Sequence, residues 1–250
     1  MYMPYATSNV YDTMFGGKVM RGGAVSSLST FVQLFSERKD FLLKVFATMI
    51  TQLGITYYIM MNYPHDVSSD KTKTTTRPKI NGRIWLLFFA ALAIIFAMAV
   101  VPMSIFAKLS LFTLFSGVMG VLMSYSMQYI NPAIVQTAIA GTASIFVALF
   151  LFGAVMLATG VVLGNTTGLL LLGALLLLIV TRIVSLFMGD YTDNARTFSV
   201  ITLMLFSLYV IYDTNRILQK DYFGDFVTGA LEYYLDILNI FMSMVRYQQH

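Results

Sequence analysis

Seven stretches of about twenty residues follow one another through this chain with little between them: 41–61, 84–101, 109–127, 133–158, 166–188, 195–217 and 226–246. The first five carry almost no charge. A helix needs roughly 20 mostly apolar residues to cross a hydrocarbon core about 30 Å thick, whereas a tilted barrel strand needs only about 9–11. Runs of this length therefore read as spanning helices, the only backbone besides a closed barrel that satisfies its own polar groups in lipid. Composition agrees, since 58% of the 250 residues are hydrophobic and 11% are charged, against about 25% charged in soluble domains. The expected fold is an all-α integral membrane protein, a seven-helix bundle in contact with the lipid bilayer.

The polar segment 62–83 is the one long connection, so 41–248 reads as a single transmembrane domain with a long polar loop. Residues 1–40 read as a mobile polar tail, with glycine pairs at Gly16-Gly17 and Gly22-Gly23. This tail has no secretory apolar core, and its basic, acid-poor start leaves a mitochondrial-targeting reading as a minor alternative. The net charge of +4 does not define a nucleic-acid surface. Lys18, Arg21, Arg38 and Lys39 precede the first span and Lys71, Lys73, Arg77, Lys79 and Arg83 follow it, so the charges read as topology signals that nearly balance. With no cysteine and only His65 and His250, a structural zinc site is excluded, and any metal bound here prefers oxygen.

The last two spans carry charge in their interiors. A carboxylate at the centre of a membrane helix costs about 2.5–3.5 kcal/mol on insertion scales, and such groups face the interior of a bundle or a water-filled cavity. On a helix, Glu232, Asp236, Asn239, Ser243 and Arg246 form one polar stripe, and Ser199, Thr202, Tyr209, Asp213 and Arg216 form another. Asp213 has Arg216 one turn away, but the nearest basic residue along the helix from Asp236 is Arg246. If the two aspartates meet, they would share a proton and titrate as a pair. Such a pair serves as a proton switch, a proton relay or an oxygen-rich cation site, because calcium accepts carboxylate, amide, carbonyl and water oxygens.

Other polar features have plainer readings. Lys44 and Arg182 lie near span ends and can snorkel, Arg182 with Asp190 or Asp193 as a partner. Lys108, in the short connection before the third span, has no acid close in sequence. Ala133, Thr137, Ala140, Gly141, Ser144 and Ala148 line one side of the fourth span and suggest close helix packing there. The leucine run 169–178 looks lipid-facing.

Two alternative classes are weighed against these residues. An intramembrane aspartyl protease would carry Tyr-Asp on one span, as in "IYDT", but its second span should read Gly-x-Gly-Asp where this chain reads "YYLDILN". A seven-span receptor would need Asp/Glu-Arg-Tyr and Asn-Pro-x-x-Tyr signals at positions where they are absent. The chain therefore reads as a non-enzyme, with the protease kept as a remote alternative.

"LFSLYVIYDTNRI" followed by "GALEYYLDILNIF" resembles the last two spans of the Bax inhibitor-1, or transmembrane Bax inhibitor motif, family. Ala230, Leu231, Tyr234, Leu235, Asp236, Asn239 and Phe241 match its seventh-span pattern in order. "FLLKVFATMITQLGIT" is similar to its first span and "INPAIVQTAIAGTASIFVALFLFG" to its fourth, so the likeness covers about 38–248, leaning to the Lifeguard and Golgi anti-apoptotic branch. The resemblance implies six outer helices around a central seventh and a calcium leak from a store or across a plasma membrane. It also implies a hydrogen-bonded, pH-responsive carboxyl pair matching Asp213 and Asp236 and, in eukaryotes and viruses, suppression of cell death. The chain departs from the family in two places. The second span lacks the glutamate of some bacterial members, and only Lys108 stands where those members place a latching arginine.

Together these readings predict a pH-sensitive calcium leak channel gated by Asp213 and Asp236, with those two carboxylates also as candidate Ca2+ ligands. Lys108 and Arg216 are candidate latches, and Glu232, Asn239, Tyr209 and Ser243 candidate pathway residues. Calcium, as the transported ion, and protons are the expected small partners, apoptosis-related membrane proteins the expected macromolecular ones, and no organic cofactor is expected. The alternative from another class is a non-conducting scaffold that restrains cell death by protein binding. The expected location is endoplasmic reticulum or Golgi in a eukaryote or virus and the plasma membrane in a bacterium, with the mitochondrial inner membrane as a minor reading.

Overall fold

Every one of the seven runs is a helix in the computed structural model, which describes residues 24–63, 82–127, 130–188, 195–219 and 224–249. In chain order these are α1 (Ala24–Asn62), α2 (Gly82–Val100), α3 (Ile105–Met127), α4 (Pro132–Ala158), α5 (Asn165–Met188), α6 (Ala195–Gln219) and α7 (Phe226–Gln249). No strand occurs among the described residues.

The ends of these helices follow from local chemistry. Ser104 accepts a hydrogen bond from the Ala107 amide (3.3 Å) and caps α3. Asn131 accepts one from Ala133 (2.9 Å) ahead of Pro132, whose missing N–H is no loss in a first turn. Asp225 caps α7 through the amide (3.1 Å) and hydroxyl (2.8 Å) of Thr228. At the C-terminus of α4, Gly160 has φ +89°, Val161 donates to Met156 and Gly160 to Leu157, a Schellman closure that needs glycine's left-handed freedom.

Two expectations are corrected at the helix starts. The polar tail 1–40 is not a tail over its second half, because α1 already begins at Ala24; residues 1–23 lie outside the described residues. Phe31, Leu34, Phe35, Arg38, Leu42 and Val45 fall three or four apart on one face. Leu34, Leu42 and Val45 are buried, and Phe35 meets Phe150 edge-on at 5.8 Å. Lys108 likewise belongs to the first turn of α3 rather than to a connection, since Ser104 starts the helix earlier. Of the polar loop 62–83, residues 64–81 lie outside the described residues, as do Asp190, Asp193, His65 and His250.

The contacts group the described residues into two compact units, whose boundaries fall within α1 and α4. One comprises the described residues of Met1–Val45 and Gln136–His250, the other Phe46–Val135. In the second unit α1 and α3 pack closely: Gly120 faces Ile59 and the Thr56 carbonyl, Thr56 donates to the Ser116 carbonyl (3.0 Å) and Gln52 to Thr113 (3.0 Å). In the first unit α6 and α7 form the most extensive helix pairing, and both are buried along much of their length.

The small residues picked out on α4 mostly lie off its buried face. Ala133, Thr137, Ala140, Ser144 and Ala148 are exposed, while Val135, Ala138, Phe146, Phe150, Ala154 and Leu157 are buried, with Phe146 and Phe150 against Tyr233. Gly141 is the exception and lies against Met244. The leucine run of α5 faces outward as expected at Leu169, Leu170, Leu172, Leu176 and Leu177, and Leu171 turns inward onto Leu205 and Tyr212.

Six helices, α1 to α6, contain stretches long and apolar enough to cross a membrane, which makes this an integral multi-pass membrane protein. The 24-residue α7 is long enough but carries Glu232, Asp236 and Asn239 and is not among these six.

Candidate functional site

The two polar stripes meet. α6 presents Tyr209, Asp213 and Arg216, α7 presents Glu232 and Asp236, and the start of α5 closes the third side with Asn165 and Gly168; together they line an open cleft of about 600 Å³. Asp213 and Asp236 are 6% and 3% exposed, and both line this cleft, one from each helix. A hydrogen bond between two carboxyls requires a proton on one of them, because an ionised carboxylate only accepts. Asp236 Oδ2 is buried and has no hydrogen-bond partner, an arrangement that native structures rarely leave unexplained.

One turn further along each helix, Arg216 Nη1 stands 3.4 Å from Glu232 Oε1, the two side chains being 37% and 20% exposed. Arg216 thus pairs across to α7 while remaining within electrostatic range of Asp213 on its own helix. Tyr209 stacks on Phe206 at 5.6 Å and lines the same cleft.

The remaining sequence-predicted residues lie elsewhere. Asn239 donates to the Leu235 carbonyl (2.8 Å) and Ser243 to the Asn239 carbonyl (2.7 Å), so both side chains hydrogen-bond along their own helix rather than lining the cleft. Ser199 and Thr202 do the same with Ala195 and Phe198. Lys108 sits half-buried on α3 in the other unit. Among the described residues no three acidic or histidine side chains converge as a metal site, so a calcium ion at Asp213 and Asp236 would draw further oxygens from backbone, amide or water.

Three buried supports carry no signal in the polar stripes. The Tyr233 hydroxyl donates to Thr214 Oγ1 at 3.0 Å, and its ring is wedged edge-on against Phe146 and Phe150 at 5.2 and 6.2 Å. Asn215, fully buried, accepts from the Leu163 amide (2.8 Å) and donates to the Val161 carbonyl (2.9 Å), tying the α4–α5 connection to α6. Gly168 lets the Tyr212 hydroxyl approach where a Cβ would collide. The legible hint for Asn215 is an amide within an apolar span with only Gln219 beside it at i+4.

This geometry defines a class: an all-helical, multi-pass membrane protein with a paired-carboxyl cleft between its last helices. A family model described as "Inhibitor of apoptosis-promoting Bax1" matches residues 38–249, and the chain belongs to that family. Among curated proteins it is similar to Protein LIFEGUARD 1 of Arabidopsis thaliana, 33% identical over 75 residues, which covers 30% of this chain and 32% of that protein. It is also similar to Protein LIFEGUARD 4 of the same plant, 26% identical over 81 residues covering 32% and 33%. A third relative is its BI1-like protein, 25% identical over 79 residues covering 32% and 31%. The matched stretch spans about a third of each of these relatives.

Proposed function

We propose that this protein is a calcium leak channel whose opening responds to pH through Asp213 and Asp236, and that it acts in the restraint of cell death. The observation that carries the reading is that two buried carboxyls, one on α6 and one on α7, line the same open cleft. With one shared proton the pair is held together; without it, two adjacent anions repel and must find other partners. Arg216, Glu232 and Tyr209 line the same cleft as the pair. A change in the pair's charge therefore alters contacts on both helices and shifts the population of closed and open states. The cell-death role is supported by the family's own description.

The test is calcium flux in proteoliposomes of the full chain across a pH series. Wild type should conduct with a pH-dependent rate, and Asp213→Asn and Asp236→Asn should flatten that dependence. A folded wild-type protein that conducts no more than empty liposomes would replace the channel with a non-conducting scaffold that protects cells by binding partners.

A further inference from the structure

The cleft has two unlike walls. On α6 and α7 stand Asp213, Asp236 and Glu232 with Arg216; on α5 the lining is Leu169, Leu172 and Leu175. Leu169 and Leu172 are 69% and 47% exposed, so they form a rim on the outer face of a helix whose stretch Asn165–Arg182 is apolar enough for the hydrocarbon region. From Asn165 to Leu175 the helix rises about 15 Å, close to half of a hydrocarbon core of roughly 30 Å. A ligand entering over this rim comes sideways out of the bilayer and must be largely apolar.

The floor asks for the opposite chemistry. Three carboxyl groups line it against one guanidinium, so that even with one proton taken up by Asp213 or Asp236 one negative charge stays unbalanced. Asp236 Oδ2 is buried within this lining and has no hydrogen-bond partner. A buried carboxylate oxygen of this kind is best satisfied by a charged donor. The volume of about 600 Å³ lies in the range of small-molecule sites, roughly 300–1,000 Å³.

We propose that this cleft binds a single-chain cationic amphiphile, a long-chain alkylamine whose ammonium group donates to Asp236 and whose chain leaves over Leu169 and Leu172 into the bilayer. The apolar rim selects the chain and the acidic floor selects the ammonium. A hydrated inorganic cation fits the floor alone and a fatty alcohol the rim alone. The proposal does not rest on ion conduction, and it is read without it.

The experiment measures the thermal stability of the full chain in zwitterionic nanodiscs, in calcium-free buffer, against tetradecylamine, tetradecanol and butylamine. Ligand that binds the folded state raises the midpoint in a saturable way. Tetradecylamine should raise it by several degrees while tetradecanol and butylamine leave it in place. Asp236→Asn should abolish the shift. Leu172→Trp, a substitution at an exposed rim position that leaves every carboxyl intact, should weaken it. An equal shift with tetradecanol reduces the effect to partitioning, and an equal shift with butylamine reduces the site to a small-cation site; either overturns the proposal. So does a full tetradecylamine shift in both variants.

Discussion

Asp213 and Arg216 lie three residues apart on α6, yet Arg216 pairs across to Glu232 on α7, and Asp213 shares its cleft with Asp236, also on α7. The Arg216–Glu232 pair is more than a third exposed on the arginine side, and such pairs contribute about 0–1 kcal/mol to stability. Arg216→Gln should therefore leave the thermal midpoint nearly unchanged while altering the pH profile of the proposed calcium flux, because Asp213 loses the guanidinium one turn along its own helix; combining Arg216→Glu with Glu232→Arg should restore the pair but not that profile. Asn215 is the opposite case. Its replacement by leucine strands the Leu163 amide and the Val161 carbonyl, and a buried polar group left without a partner costs about 1–3 kcal/mol, so Asn215→Leu should lower the unfolding midpoint clearly. The contrast marks what could be read in advance. Asp213 and Asp236 declared themselves because a carboxylate in an apolar helix demands an explanation, and helical spacing placed Arg216 and Glu232 on the same stripes. Which residue of α6 faces which of α7, and that Asn215 holds a distant connection, depend on pairings between segments that periodicity along one helix does not contain.

At the scale of elements, close approach is set by particular glycines and not by runs of small residues. A Cβ at Gly153 would stand 2.8 Å from the Ile211 carbonyl oxygen and 3.0 Å from Thr214 Cβ, so α4 can lie on α6 at this level only with no side chain there. Thr214 in turn receives the Tyr233 hydroxyl, which links helix spacing to the wall of the site. Gly153→Val should destabilise the protein by about 1–3 kcal/mol, as overpacking of a filled interior does, whereas Gly173→Ala, with nothing within 4 Å of the added carbon, should be neutral or gain up to about 1 kcal/mol of helix propensity. Thermal unfolding of both variants in one detergent checks the pair. The helices themselves were legible to within a few residues at most of their ends, since long apolar runs broken by short polar segments and by Asn131-Pro132 leave few choices. The start of α1 was not, because "SERKD" interrupts its apolar run, and the helix continues through it on a face anchored by Leu34, Phe35 and Leu42.

For the whole molecule the question is whether the last segment crosses the membrane or turns back, because it carries Glu232, Asp236 and Arg246 and is not among the six helices apolar enough to cross by composition. The structure answers through its partner. α6 is apolar enough to cross, and α7 runs antiparallel to it from one end to the other: Arg216 meets Glu232 near the end of α6 and the start of α7. At the opposite ends, Arg196 donates to the Tyr247 hydroxyl at 3.0 Å and stacks over its ring at 4.6 Å. The 24 residues of α7 rise about 36 Å, enough for a core of about 30 Å. A helix paired along its full length with a spanning helix shares its depth, and its Asp236 is buried. The absence of native cysteine makes the test direct. Single cysteines introduced as Asp225→Cys and Gln249→Cys, probed with a membrane-impermeant maleimide in sealed, uniformly oriented vesicles, should be labelled from opposite sides, with Gln249→Cys sharing its side with Arg196→Cys. Labelling of Asp225→Cys and Gln249→Cys from one side would make α7 a re-entrant segment and would break the antiparallel pairing on which the carboxyl cleft depends.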